Sequence, residues 1–205
     1  MMKLLLMVAV STLLSSFEVR AGSDAHRLAE KLSALETFVG QFRQSLVDDQ
    51  GEAIQEDSTG DFWLKRPGYF YWQTKEPFPQ LLVSNLKTVW LYDADLEQVT
   101  IRDYDERLSR TPALLLSGDV EKITHHYQVS QLDESSYRLI PKDAQELFTE
   151  LTVYFDNDRL SKMTLLDSLA QLTTFTFIDG IYNTAIDDGR FEFIPPEGTD
   201  IVVDH

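Results

Sequence analysis

Four histidines, one group of carboxylates and a single arginine set among aromatic rings are the residues of this chain with chemistry to offer. The histidines are His26, His125, His126 and His205. His125 and His126 are adjacent, so on a strand they point to opposite faces and cannot bind one metal together. They read as exposed polar residues of a strand. Asp103, Asp105 and Glu106 form an acidic group. A solvated loop is the expected state of such a group, with a weak calcium site as the lesser alternative. Cysteine is absent, which removes disulfides, thiol nucleophiles and thiolate metal sites together. No nucleophile elbow, phosphate-binding glycine loop or zinc spacing occurs. The residues therefore predict no metal, no cofactor and no enzyme chemistry.

The arginine is Arg66, within "GDFWLKRPGYFYWQTKEP" (Gly60 to Pro77). Strand alternation puts Phe62, Leu64 and Arg66 on one face and Trp63 and Lys65 on the other. In the next strand Phe70 and Trp72 share a face, with Tyr69 and Tyr71 opposite. A half-solvated sheet alternates more cleanly than this. Core filling is the plain reading; a lined cavity is the other. A charge on the same face as Phe62 and Leu64 is costly unless paired. Carbonyls at the end of a covering helix are suitable partners.

The elements that position these residues are mostly strands. Asp24 to Phe42 has Leu28, Leu32, Leu35, Val39 and Phe42 at spacings of three and four, which predicts a helix with one apolar face. Ser23 or Asp24 can cap its start. From Phe42 the period shifts toward two, and Gly51 suits a hairpin turn after Asp48. Strands are expected at Tyr69–Thr74, Leu81–Ser84, Thr88–Tyr92 and Gln98–Arg102. Further ones are expected at Ile123–Leu132, Tyr137–Pro141, Leu147–Phe155, Leu160–Asp167, Gln171–Asp179 and Arg190–Ile194. Between them "TPALLLSGD" (Thr111 to Asp119) has a capping Thr111, Pro112 for the first turn and Gly118 for the end, a short apolar helix. Short polar turns between strands imply an antiparallel meander curling into a barrel or part of one.

The N-terminus has its own logic. Lys3 precedes the apolar run Leu4 to Leu14, which is too short for a stable membrane span, and Val19-Arg20-Ala21 offers a cleavage site. Residues 1–21 are expected to be a cleaved signal peptide and 22–205 a single domain. No lipid-attachment cysteine follows, so the exported chain is expected free in solution. The formal net charge of −16 repels nucleic acid phosphates and anionic lipid head groups and suits partners with basic patches.

"DFWLKRPGYFYW", "TVWLYDADLEQVT", "TPALLLSG" and "FEFIPPEGTDIV" occur in an order that resembles the periplasmic outer-membrane lipoprotein carriers, the LolA family. The resemblance spans nearly the whole chain after residue 21. It implies a mainly β (α+β) fold, an incomplete antiparallel β-barrel of about eleven strands. A lid of short α-helices would cover a hydrophobic cavity. It implies a periplasmic monomer that takes acylated lipoproteins released by the inner-membrane ABC transporter LolCDE. The carrier shields their acyl chains and passes them to the outer-membrane receptor LolB or its equivalent. On this chain the cavity would be lined by Phe62, Leu64, Phe70, Trp72, Leu114 and Leu115, and Arg66 would latch the lid. A lipid-binding or sensory module of the same fold with another lipid ligand is the alternative. Family members commonly have Asp-Gly where this chain has Asn85-Leu86, which argues against a tight two-residue turn needing glycine and leaves the local hairpin geometry open. Ala113 stands where some members have an aromatic residue.

Overall fold

Ser23 starts the first helix as its side chain accepts a hydrogen bond from the His26 amide at 3.2 Å, which satisfies one of the donors a helix start leaves open. The helix, α1 (Asp24–Ser33), is shorter than its leucine spacing predicts. Asn183 closes it: its Nδ2 donates to the Ala34 carbonyl at 3.0 Å and its Oδ1 accepts from Glu36 N–H at 2.9 Å. Val39 and Phe42 then lie on a strand, β1 (Thr37–Val47), not on the helix. Their spacing imitates a helical face, while Phe38, Gly40 and Phe42 show the period of two that the backbone follows. The structure, a computed structural model, describes residues 23–104, 116, 123–143 and 148–204.

Eleven more strands follow: β2 (Ser58–Lys65), β3 (Tyr69–Glu76), β4 (Gln80–Asn85), β5 (Thr88–Asp93), β6 (Gln98–Asp103), β7 (Tyr127–Asp133), β8 (Ser136–Pro141), β9 (Phe148–Asp156), β10 (Arg159–Asp167), β11 (Leu172–Tyr182) and β12 (Asp200–Asp204). They form one sheet in the order β12-β6-β5-β4-β3-β2-β1-β11-β10-β9-β8-β7. The first and last strands of this order do not pair, so the curled sheet is unclosed. Its pairings are antiparallel except β12 with β6, which is parallel. The predicted class holds, with twelve strands in place of about eleven.

Three local expectations need correction, and the turn after Asn85 takes a definite form. Residues Ile123–His126 form a helical turn, α2, before β7 begins, so His125 and His126 are not strand neighbours; both are exposed. Arg190–Ile194 is not a strand. Asp187 caps a 3₁₀ turn over Asp188–Phe191 by accepting from Gly189 N–H at 2.9 Å, and Pro195 and Pro196 supply no amide donors for a ladder. The last strand lies later, at β12. The connection after Asn85 is a tight two-residue one, Leu86-Lys87. Leu86 takes a φ of 71°, and Asn85 Oδ1 accepts from the amides of Lys87 and Thr88 at 3.0 and 2.9 Å. The side-chain bonds replace what glycine supplies by conformational freedom. Finally, helix and strand divide the interval from Asp24 to Phe42, as described above.

The 48–53 hairpin follows its expectation, with Gly51 at a φ of 84° and Val47 bridged to Ala53. At the β2–β3 turn Gly68 has a φ of 73°, and a Cβ on it would lie 2.4 Å from the Leu86 side chain. The positive φ favours glycine there, and a side chain would also have to displace that of Leu86. The predicted signal peptide, the helix around Thr111–Asp119 apart from Leu116, and Asp105 and Glu106 lie outside the described residues.

Candidate functional site

The concave face of the sheet is built from residues of one parity on neighbouring strands. Phe38 and Phe42 come from β1, Phe62 and Leu64 from β2, Phe70 and Trp72 from β3, and Phe175 and Phe177 from β11. Strand pairing sets Phe62 opposite Trp72 and Leu64 opposite Phe70. Phe62 and Phe70 are fully buried and Trp72 is 7 % exposed. Ring centroids lie 4.0 Å apart for Phe42 and Trp72, 4.6 Å for Phe38 and Phe62, and 5.6 Å for Phe62 and Trp72. Phe42 can cross β2 only because residue 60 is glycine: a Cβ there would sit 2.5 Å from the Phe42 ring and 1.9 Å from the Gln73 carbonyl.

Residues from outside these strands pack into the same cluster. Leu28 and Leu32 of α1 belong to the same buried cluster, as does Leu116. The α1 helix is tied to the sheet at both ends. Near its start Asp24 Oδ2 accepts from the Gln131 amide at 2.9 Å and Arg27 Nε donates to Gln131 Oε1 at 3.0 Å. Near its end Lys31 pairs with Asp158. Leu114 and Leu115 lie outside the described residues.

Arg66 sits where the chain leaving α1 meets the sheet. Its amide donates to Glu36 O at 2.9 Å and its Nε to Leu35 O at 3.0 Å, so the side chain grips the carbonyl just beyond α1. Leu35, Glu36, Phe38, Leu64, Arg66, Leu116 and Leu160 surround a cavity of about 10 Å³ at this corner, about enough for one water. Tyr182 stacks on Phe38 at 4.4 Å and donates its hydroxyl to Leu160 O at 2.8 Å. Burial pushes its phenol above the ordinary value of 10.0, against the lowering effect of Arg159. Among the described residues no three of His, Asp and Glu group closely enough to hold a metal ion. What such a layer offers a ligand is non-directional contact with hydrocarbon.

The opposite, convex face carries Trp63, Tyr69 and Tyr71, as alternation predicts. The chain after β11 runs over them. The Arg190 guanidinium lies 4.5 Å from the Trp63 ring centre and 5.5 Å from that of Tyr71. Fully buried Phe191 packs at 5.3 Å from Tyr69, and Asp188 pairs with Lys65.

Residues 33–194 match the family model described as outer membrane lipoprotein carrier protein LolA. The chain belongs to the LolA family. A relative from Azotobacter vinelandii, an outer-membrane lipoprotein carrier protein, is 41% identical over 203 residues, covering 98% of this chain and 97% of its own. A protein of the same name from Hahella chejuensis is 40% identical over 206 residues, covering 98% of each. Among solved structures, an uncharacterized conserved protein from Thermus thermophilus has a TM-score of 0.53 at 12% identity, covering 88% of this chain and 98% of that one. That likeness is one of fold. The family is one of carriers, and its fold places the aromatic layer and the Arg66 corner described above.

Sequence reasoning did not single out Phe38, Phe175 and Phe177 as part of the layer, and it assigned Phe42 to a helix. The alternation of Phe175 and Phe177 was available as a signal. Their meeting with Phe62 and Trp72 was not, because it depends on β11 lying beside β1.

Proposed function

We propose that this chain is a periplasmic carrier whose concave aromatic layer receives the acyl chains of lipoproteins. Phe62, Leu64, Phe70 and Trp72 are the proposed contact residues and Arg66 the latch. Residues 1–21 are the proposed signal peptide. LolCDE and LolB are the proposed donor and acceptor. The observation that carries the reading is the Arg66 bond to Leu35 O, which ties the edge of a helical cover to a sheet face made of rings.

The energetics favour a self-closing cover. Burying one acyl CH₂ is worth about 0.8 kcal/mol, so a chain of ~16 carbons gains roughly 12 kcal/mol over water. Two or three such chains would pass the ceiling of about 18–21 kcal/mol on non-covalent affinity. The relevant competitors are therefore a membrane and a receptor, both apolar. A cover that packs on the rings when they are empty must be displaced by the ligand, so closure opposes binding and promotes release.

Mass spectrometry of the protein isolated from the periplasm should find acylated lipoprotein; free lipid alone would overturn the cargo. Arg66→Leu should load lipoprotein as the unaltered protein does and transfer it to the receptor at least tenfold more slowly. Normal transfer would remove the latch.

A further inference from the structure

The two edges of the open sheet end differently. Along β7 the first helix lies against the edge, and Asp24 takes up the Gln131 amide. Nothing among the described residues covers β12 in that way. Asp200 N–H donates to Glu97 O at 2.8 Å, and Asp200 stands opposite Gln98. In a parallel pair alternate residues bond to the neighbouring strand. Asp200, Val202 and Asp204 therefore turn their main-chain groups toward β6, and Ile201 and Val203 turn theirs outward. Ile201, Val202 and Val203 are 59, 44 and 54% exposed. Soluble proteins blunt such an edge with lysine, proline or a bulge. This one has none of them, and its charges stand only at its ends.

"DIVVD" is symmetric in residue class: acid, three branched aliphatic residues, acid. Antiparallel pairing of two copies about Val202 would set Asp200 opposite Asp204 at both ends, and like charges directly opposite destabilise a sheet. Asp204 is paired with Arg102 at 2.8 Å; Asp200 has no ion pair among the described residues. The net charge of −16 adds to the repulsion between copies. The strand thus disfavours itself and favours the opposite charge pattern. It also lies beyond residue 194, where the family match ends.

We infer that β12 is a docking edge for an extended segment of another protein, with three aliphatic residues between two basic ones. The segment would add to the sheet through main-chain bonds to Ile201 and Val203. The symmetric pattern accepts it in either direction.

The capped peptide Lys-Val-Ile-Val-Lys and its Glu-flanked counterpart provide the test, with amide signals and exchange read by NMR. The Lys-flanked peptide should shift and protect the Ile201 and Val203 amides and bind at least tenfold more tightly than the other. Val203→Pro removes an outward N–H and leaves the amides that face β6. It should abolish binding while Val202 and Asp204 stay protected. Asp200→Lys combined with Asp204→Lys should reverse the preference between peptides, a readout that does not depend on the proline variant folding. Equal binding of both peptides, binding of neither, or binding that survives Val203→Pro would overturn the inference. So would a dimer in sedimentation that Val203→Pro dissolves, which would make a second copy the occupant.

Discussion

The β2 and β3 strands carry aromatic rings on both faces, and the two faces are covered by different means. On the concave side Trp72 lies among Phe42, Phe62, Phe70 and Phe175, ring against ring. On the convex side Trp63 and Tyr71 meet each other at 5.2 Å and a guanidinium above them. The helix in the same cluster as the concave rings is held by polar bonds to β7 and to the β9–β10 turn, and Arg66 holds the carbonyl just beyond it. The convex cover is a capped 3₁₀ turn with a fully buried phenylalanine at its end. The difference bears on the proposed opening of the concave cover. If cargo displaces the concave cover, the strands must stay ordered without it, and the segment on their other face can hold them.

The largest expected effect tests the concave half of this comparison. Phe62→Ala should cost about 3–5 kcal/mol, as for other buried phenylalanines, measured by urea denaturation. A loss under about 1 kcal/mol would mean that the rings enclose space rather than pack as a core.

The convex half is tested by Phe191→Ala, expected to cost ~3 kcal/mol, near the low end for phenylalanine because a surface segment can settle into the gap. Acyl-chain binding should persist in this variant at permissive temperature. If binding fails while the sheet remains folded, the two faces are not independent and the comparison breaks.

The smallest effect is one of pH. Hydrogen bonding to Asp188, and then its charge, hold the Lys65 pKa above the ordinary value of 10.5, with desolvation opposing. A folded value above the unfolded one means that the contribution is complete below about pH 10.5 and is lost as pH rises through the folded value. Protease susceptibility of the 186–194 segment should therefore increase in strongly alkaline solution. Lys65→Met should remove that component, and an unchanged alkaline profile would show that the pair does not hold the segment.

Legibility from the sequence followed how local each signal is. Alternation placed Phe62, Leu64, Phe70 and Trp72 on one face and Trp63, Tyr69 and Tyr71 on the other, where the structure has them. The same reasoning failed at Val39 and Phe42, since spacings of three and four can arise on a strand by chance. It failed at Arg190–Ile194 because the short apolar-polar run is held as a turn by Asp187, one residue outside any strand pattern. The geometry of the Leu86 turn was not legible because its enabling feature is the side chain of Asn85, not the flexibility of the residue that turns.

By itself the sequence determined the mostly β class, the parity of the aromatic rows, the start of α1 and, through four ordered motifs, the family resemblance. These depend on neighbours within a few residues or on a pattern carried whole. Only the tertiary structure decided that β11 joins β1 and brings Phe177 to Phe38 and Phe62. It also decided that Arg66 reaches Leu35 O, that the chain after β11 crosses the convex rings, and that β12 runs parallel to β6 with no cover on its outer edge among the described residues. Each of these joins residues far apart in the chain, and pairing of that kind depends on how the whole sheet curls.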